Sequence, residues 1–223
     1  MFFLGHMAWA YVWAVMFAGK RRGKLVIPAV LMLGVMPDID LFLEGFGVAH
    51  HTFTHSLFFW FVIFAPLLAV FRLKVIPYFV AVAQHFVFGD FIMGNVMILW
   101  PFSPQYFGFN IAMVSVLNVA LEIAGLLLAA GIIYFNGDLR RLLRVDIRNI
   151  PMFLPFLALL TSMLFFAVDV PTVPLIAHVF YSKLFASIVL AHIFFAIFLA
   201  VSTAQGLRRL NIKHRQFANE EKR

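Results

Sequence analysis

The 223-residue chain is 64% hydrophobic and only 12% charged, with a formal net charge of +7 and no cysteine. A soluble globular domain is about half apolar and about a quarter charged, so the composition excludes one. The missing cysteines exclude disulfides, thiolate metal sites and cysteine nucleophiles. Crossing a bilayer core takes about 20 apolar helical residues, and seven runs reach or approach that length: 2–19, 25–43, 55–71, 75–93, 111–135, 151–168 and 175–205.

The first run, FFLGHMAWAYVWAVMFAG, lacks a basic stretch ahead of it. KRRGK follows it rather than a small-residue cleavage site, so it reads as a span and not a signal peptide. The second run is short: residues 25–36 make roughly 18 Å of helix at about 1.5 Å per residue before Pro37 disturbs it. The basic residues fall between the runs, in Lys20–Lys24, Arg72/Lys74, Arg140–Arg148 and Arg208–Arg223, with Lys183 alone inside the last one. That spacing points to topology and anionic lipid rather than nucleic acid, which is not expected as a partner. Placing all four clusters in the cytoplasm gives an all-α, polytopic transmembrane helical bundle of about seven spans. Its N-terminus lies outside and its C-terminus inside the cell membrane. The tail NIKHRQFANEEKR reads as a solvated cytoplasmic end. Trp100 and Tyr106, in WPFSPQYF, suit an interfacial belt on the outer side.

This topology brings distant polar residues to one depth. PDID (37–40), HHTFTHS (50–56), His6 and the pair His85/Asp90 all fall toward the outer face. Past a proline, in locally extended chain, Asp38 and Asp40 can face the same way; Asp38 could otherwise cap the next turn. Membrane carboxylates are rare and usually functional. In HHTFTHS two geometries stay open. A helix through the stretch pairs His51 with His55 at i, i+4. A helix starting near Thr54 as cap leaves His50 in the loop, free to fold beside His55. Imidazole and carboxylate together suit Zn²⁺, Mn²⁺ or Fe²⁺. His85 and Asp90 stand about 140° apart on an ideal helix, and Gly89 could permit a bulge that joins them. Asn118 and Glu122 share a face midway along the fifth run, either as part of a site or as a helix–helix hydrogen bond. His178, Lys183 and His192 read as interior polar contacts.

The order of these motifs (GHMAWAY, PDID, H-x4-HS, a histidine-to-aspartate helix, WPFS) resembles the LexA-regulated, membrane-bound, YdjM-like metal-dependent hydrolases over roughly residues 1–110. That family typically reads PD-x-D, HRG-x-THS, H-x3-D and a WPF turn. The resemblance implies His6, Asp38, Asp40, His50, His55, His85 and Asp90 as metal ligands, with Asp40 or His51 as a catalytic base. It departs in two places: His51 stands where the family has arginine, and H-x3-D is stretched to H-x4-D, with Gly89 at the carboxylate's place. The order is also distantly similar to zinc-dependent phospholipase C and single-strand nucleases.

Residues 1–110 are thus expected to form a metal-site half, 111–207 further membrane helices and 208–223 a basic tail. The implied activity is hydrolysis of a phosphoester or lipid-linked substrate at the outer membrane face, using a divalent metal, foremost Zn²⁺, to acidify water. The partners are membrane lipids and such a substrate; the sequence leaves the oligomeric state open. Two other classes fit the same residues: a transporter or channel for a metal ion or proton, and a non-catalytic protein with a structural metal site.

Overall fold

A computed structural model describes residues 1–112, 115–168 and 183–220. His178, the start of the expected seventh span and residues 221–223 of the tail lie outside the described residues. The chain divides into two compact units, Met1–Ala130 and Gly131–Arg223.

In the first unit, α1 (Phe3–Ala18) ends at Gly19, whose φ of +52° suits glycine. After a 3-10 turn (Gly19–Lys24), Pro28 opens α2 (Ile27–Val35) in its first turn, where the missing N–H does no harm. The two helices lie close: a methyl group on Gly34 would sit 2.6 Å from the Ala10 Cβ and 2.8 Å from the His6 carbonyl oxygen. As Pro37 predicts, α2 stops short of it. The chain does not become extended there. It tightens into a second 3-10 turn, Met36–Phe42, which carries PDID.

The HHTFTHS stretch is a loop ending in a short 3-10 turn, Phe53–His55, followed by α3 (Leu57–Phe71). Ser56, not Thr54, is the cap: its Oγ accepts the Phe59 N–H. Thr54 is drawn away to a carboxylate, which delays the helix. After α4 (Ile76–Gln84), a π-turn (His85–Gly89) leads into the short α5 (Asp90–Met93). The long helix α6 (Val116–Phe135) passes into the second unit. An isolated β-bridge joins Val96 to Phe107 across the WPFS loop. Trp60, Phe64, Val75, Val82, Phe86 and Val96 form the apolar core under the loops. In lipid such packing rests on dispersion and shape more than on release of water. Large apolar side chains such as Val70 and Leu127 correspondingly face outward.

The second unit contains α7 (Asp138–Leu143), a 3-10 turn (Ile147–Met152), α8 (Phe153–Val168) and α9 (Lys183–Glu220). Asn149 Nδ2 donates to the Leu142 and Arg144 carbonyls, each at 2.9 Å. Ser202 Oγ donates to the same Leu142 carbonyl at 2.7 Å, tying α9 to α7. The described part of the tail continues α9 as helix to Glu220, with residues 207–214 exposed.

Four described stretches are long and apolar enough to cross a membrane: Leu57–Lys74, Ile76–Met93, Val116–Phe135 and Phe185–His214. Phe3–Ala18 and Ile147–Met163 are apolar but shorter. Residues 25–43 are not one helix of spanning length, because α2 has nine residues before the 3-10 turn begins.

Candidate metal centre

Four separate pieces of the first unit meet at one end of its helices. They are the start of α1 (His6), the turn after α2 (Asp38, Asp40), the 49–56 loop (His50, His51, His55) and the π-turn (His85, Asp90). All but His50 and His51 are buried, and those two are about a quarter exposed.

Asp40 organises the histidine loop. Its Oδ1 lies 2.7 Å from His50 Nδ1. Its Oδ2 accepts the His51 N–H at 3.2 Å and the Thr54 hydroxyl at 2.5 Å, and lies 3.2 Å from His55 Nδ1. One buried carboxylate therefore gathers donors from four of six consecutive residues. This explains why the stretch is a loop and not the helix that would pair His51 with His55. His51 takes a left-handed backbone, φ +64°, a region where histidine is enriched among non-glycine residues. Its carbonyl accepts the Met97 N–H at 3.0 Å, so contacts on both sides of the peptide hold that conformation.

Asp38 is not a cap; its carboxylate turns inward. Asp38 Oδ1 lies 3.2 Å from His85 Nε2 and 3.6 Å from His55 Nε2. Asp90 Oδ2 lies 2.8 Å from His85 Nε2 and 3.2 Å from His55 Nε2. These four ligand atoms all fall within 4.8 Å of one another. A second group, Asp38, Asp40, His50 and His55, meets the same limit and shares two residues with the first. So does a third, His50, His51 and His55. Both histidines left as alternatives thus stand at the cluster, His50 against Asp40 and His51 with Nε2 3.8 Å from Asp90 Oδ2.

The π-turn accounts for the stretched histidine-to-aspartate spacing. The Asp90 N–H reaches the His85 carbonyl, five residues back, and the wider turn rotates Asp90 onto the face of His85. Gly89 is needed for another reason as well: a methyl group there would lie 2.5 Å from His6 Cε1. That space lets His6 stack on His85, with ring centroids 3.7 Å apart, and bring Nε2 to 3.2 Å from Asp90 Oδ1. His6 is outside all three converging groups. It braces the back of Asp90.

The donor set fits a divalent cation. His85 Nδ1 donates to the Gly34 carbonyl at 2.7 Å, which leaves Nε2 with its lone pair in the neutral ring. In the i, i+3 register of the turn, the donor for that carbonyl would be Pro37, which has no N–H. His55 is oriented the same way, its Nδ1 held by Asp40. Carboxylate and carbonyl partners of this kind fix metal-binding histidines. His55 Nε2, His85 Nε2 and Asp90 Oδ2 are buried without a hydrogen-bond partner. Lone pairs this close need a shared cation or extra protons to lie together. At the mouth, burial holds His51 down to about 4; His50 and His55 act in the same direction, and Asp90 and Asp38 oppose them. Its imidazole is therefore neutral at neutral pH.

Glu122 is buried apart from this cluster. Its Oε1 accepts the Phe2 N–H at 2.5 Å, and a methyl group on Gly5 would land on its carboxylate. The Met1 nitrogen lies 3.5 Å from Asp90 Oδ1. Sequence reasoning missed the supporting residues. Thr54 carried a signal in THS but was assigned to capping. The Gly34 carbonyl carried none, since a backbone acceptor has no residue type. Gly94, where a methyl group would lie 3.0 Å from His51 Cε1, reads in sequence only as a helix end.

The family model for the YdjM inner membrane protein family matches residues 1–145, about two thirds of the chain, and the chain belongs to this family. The match takes in the whole cluster and extends past the WPFS loop. No curated protein and no solved structure matches the chain. Family and helix lengths together make this an inner membrane protein whose buried histidines and aspartates could hold a metal ion.

Proposed function

We propose that this YdjM-family membrane protein is a metal-dependent hydrolase acting at the outer membrane face on a phosphoester or lipid-linked substrate. The observation that carries the proposal is the convergence of Asp38 Oδ1, His55 Nε2, His85 Nε2 and Asp90 Oδ2 within 4.8 Å, three of those atoms being buried and close together without an aligned hydrogen bond. These residues would hold the ion. Asp40 orients His55 and the loop, and His6 braces Asp90. A divalent ion such as Zn²⁺, when bound, acidifies water and polarises the bond under attack. His51, about a quarter exposed with Nε2 3.8 Å from Asp90 Oδ2, would take a proton from the attacking water. The loops around the mouth carry exposed Phe42, Phe46, Trp100 and Phe102, which supports a substrate that enters from the bilayer. The preference for a phosphoester rests on the motif order alone.

The test is zinc-loaded and chelator-stripped protein in detergent, offered a panel of phosphodiester and phosphomonoester lipids. Hydrolysis that needs the metal and is lost in Asp90→Asn is expected. Gradient-driven uptake of metal by proteoliposomes without hydrolysis would replace the enzyme by a transporter. Metal retention with neither activity would leave a structural centre.

A further inference from the structure

At the opposite end of α1 and α4 from the histidines, the first unit has a cavity of about 270 Å³, lined by Phe17, Lys24, Leu25, Leu73, Lys74 and Tyr78 among others. The end of α1 and the turn after it supply one wall; the α3–α4 turn supplies the other. Two lysines from segments 50 residues apart in sequence thus share one apolar hollow. Neither has a counterion: no ion pair to Lys24 or Lys74 occurs among the described residues. The stretches 16–30 and 68–80 contain no aspartate or glutamate.

Two exposed ammonium groups with no ion pair, side by side at the edge of an apolar cavity, suit an anion that carries apolar bulk. The surroundings say which kind. Phe17, Val70, Phe71 and Leu73 are all more than half exposed around this end, on helices that belong to a membrane protein. A ligand arriving there comes with acyl chains beside it. The volume is just under the range of about 300–1,000 Å³ usual for small-molecule sites, so it takes a headgroup and not a whole lipid. Tyr78 stands at the rim with its hydroxyl oxygen already accepting the Val26 N–H at 2.9 Å, which leaves the hydroxyl proton to donate. We propose that this cavity is a discrete site for the phosphate headgroup of an anionic phospholipid, held by Lys24 and Lys74 with its acyl chains along the exposed faces of α1 and α3. The site is independent of the metal cluster.

The experiment uses the full chain in neutral detergent with phosphatidylglycerol and phosphatidylcholine as probes, and counts retained lipid by native mass spectrometry. One phosphatidylglycerol per chain is expected to outlast delipidation, and phosphatidylcholine is not. Lys24→Gln with Lys74→Gln should weaken retention roughly 30-fold, from about five- to sixfold per basic residue at an anionic lipid surface. Lys20→Gln with Arg72→Gln removes the same charge from exposed residues of the same two turns that do not line the cavity, and should change it less than threefold. These exposed substitutions do not threaten folding, and circular dichroism checks that. Equal losses in the two double variants would mean diffuse attraction and overturn the proposal. So would equal retention of both lipids, or displacement by soluble glycerol phosphate at the concentration at which the lipid binds. A chain that runs as a dimer and holds no lipid would assign the cavity to a second copy instead.

Discussion

Replacing Asp40 by asparagine keeps its size and removes the charge around which the histidine loop is built. The carboxylate faces donors on both sides: His50 Nδ1 at one oxygen, and the His51 N–H, the Thr54 hydroxyl and His55 Nδ1 at the other. An amide oxygen turned toward the crowded side keeps three contacts as neutral hydrogen bonds. Its NH₂ then meets His50, which can change tautomer and accept. Each bond loses its charge assistance, on the order of 1 kcal/mol, so the first unit is expected to fold with about 2–3 kcal/mol less stability. His55 loses the anion that orients it, and loss of such a partner lowers metal affinity about 10–100-fold, or about 1.4–2.8 kcal/mol. Zinc affinity measured against a chromophoric chelator in detergent reads this directly, with Asp90→Asn as the reference for a lost ligand. Asp40→Asn should retain zinc at reduced affinity, whereas Asp90→Asn should not retain it through purification. If the two variants empty alike, Asp40 is itself a ligand and the reasoning fails. If Asp40→Asn binds like the parent, the orienting role fails.

His51→Ala should keep zinc within about tenfold while turnover of a hydrolysed lipid falls by about 10²–10⁴, the usual worth of a general base; a large loss of zinc with turnover per bound ion unchanged would make His51 a ligand only. Gly89→Ala puts a methyl group 2.5 Å from His6 Cε1, and overpacking of this kind destabilises by about 1–3 kcal/mol. A fall in Tm in detergent should follow, and an unchanged Tm would show that His6 does not stack there. Cysteines replacing the exposed Glu44 and Gln105 should react with an impermeant reagent from outside sealed cells, and one at the exposed Gly23 should not; labelling of all three would refute the proposed orientation.

Composition and the spacing of charge were enough to establish a helical membrane protein, because a bilayer forces long uncharged runs into helices whatever they pack against. The motif order named the family. Pro37 marked the end of α2, since a proline removes a donor wherever it stands. Gly89 in a spacing one residue too long marked a bulge, and the π-turn at His85–Gly89 is that bulge. Tertiary structure alone decided what the polar residues touch. Thr54 reads as a cap by residue type, but a buried carboxylate 14 residues earlier claims its hydroxyl, and Ser56 caps α3 instead. PDID reads as extended chain after a proline, yet the 3-10 turn is what carries Asp38 and Asp40 to two sides of His55. The contacts His6–Asp90, Asp38–His85 and Gly34–His85 join residues roughly 50 or more positions apart. Local pattern carries no information at that range, because nothing in one helix specifies the register of its neighbour until their side chains meet.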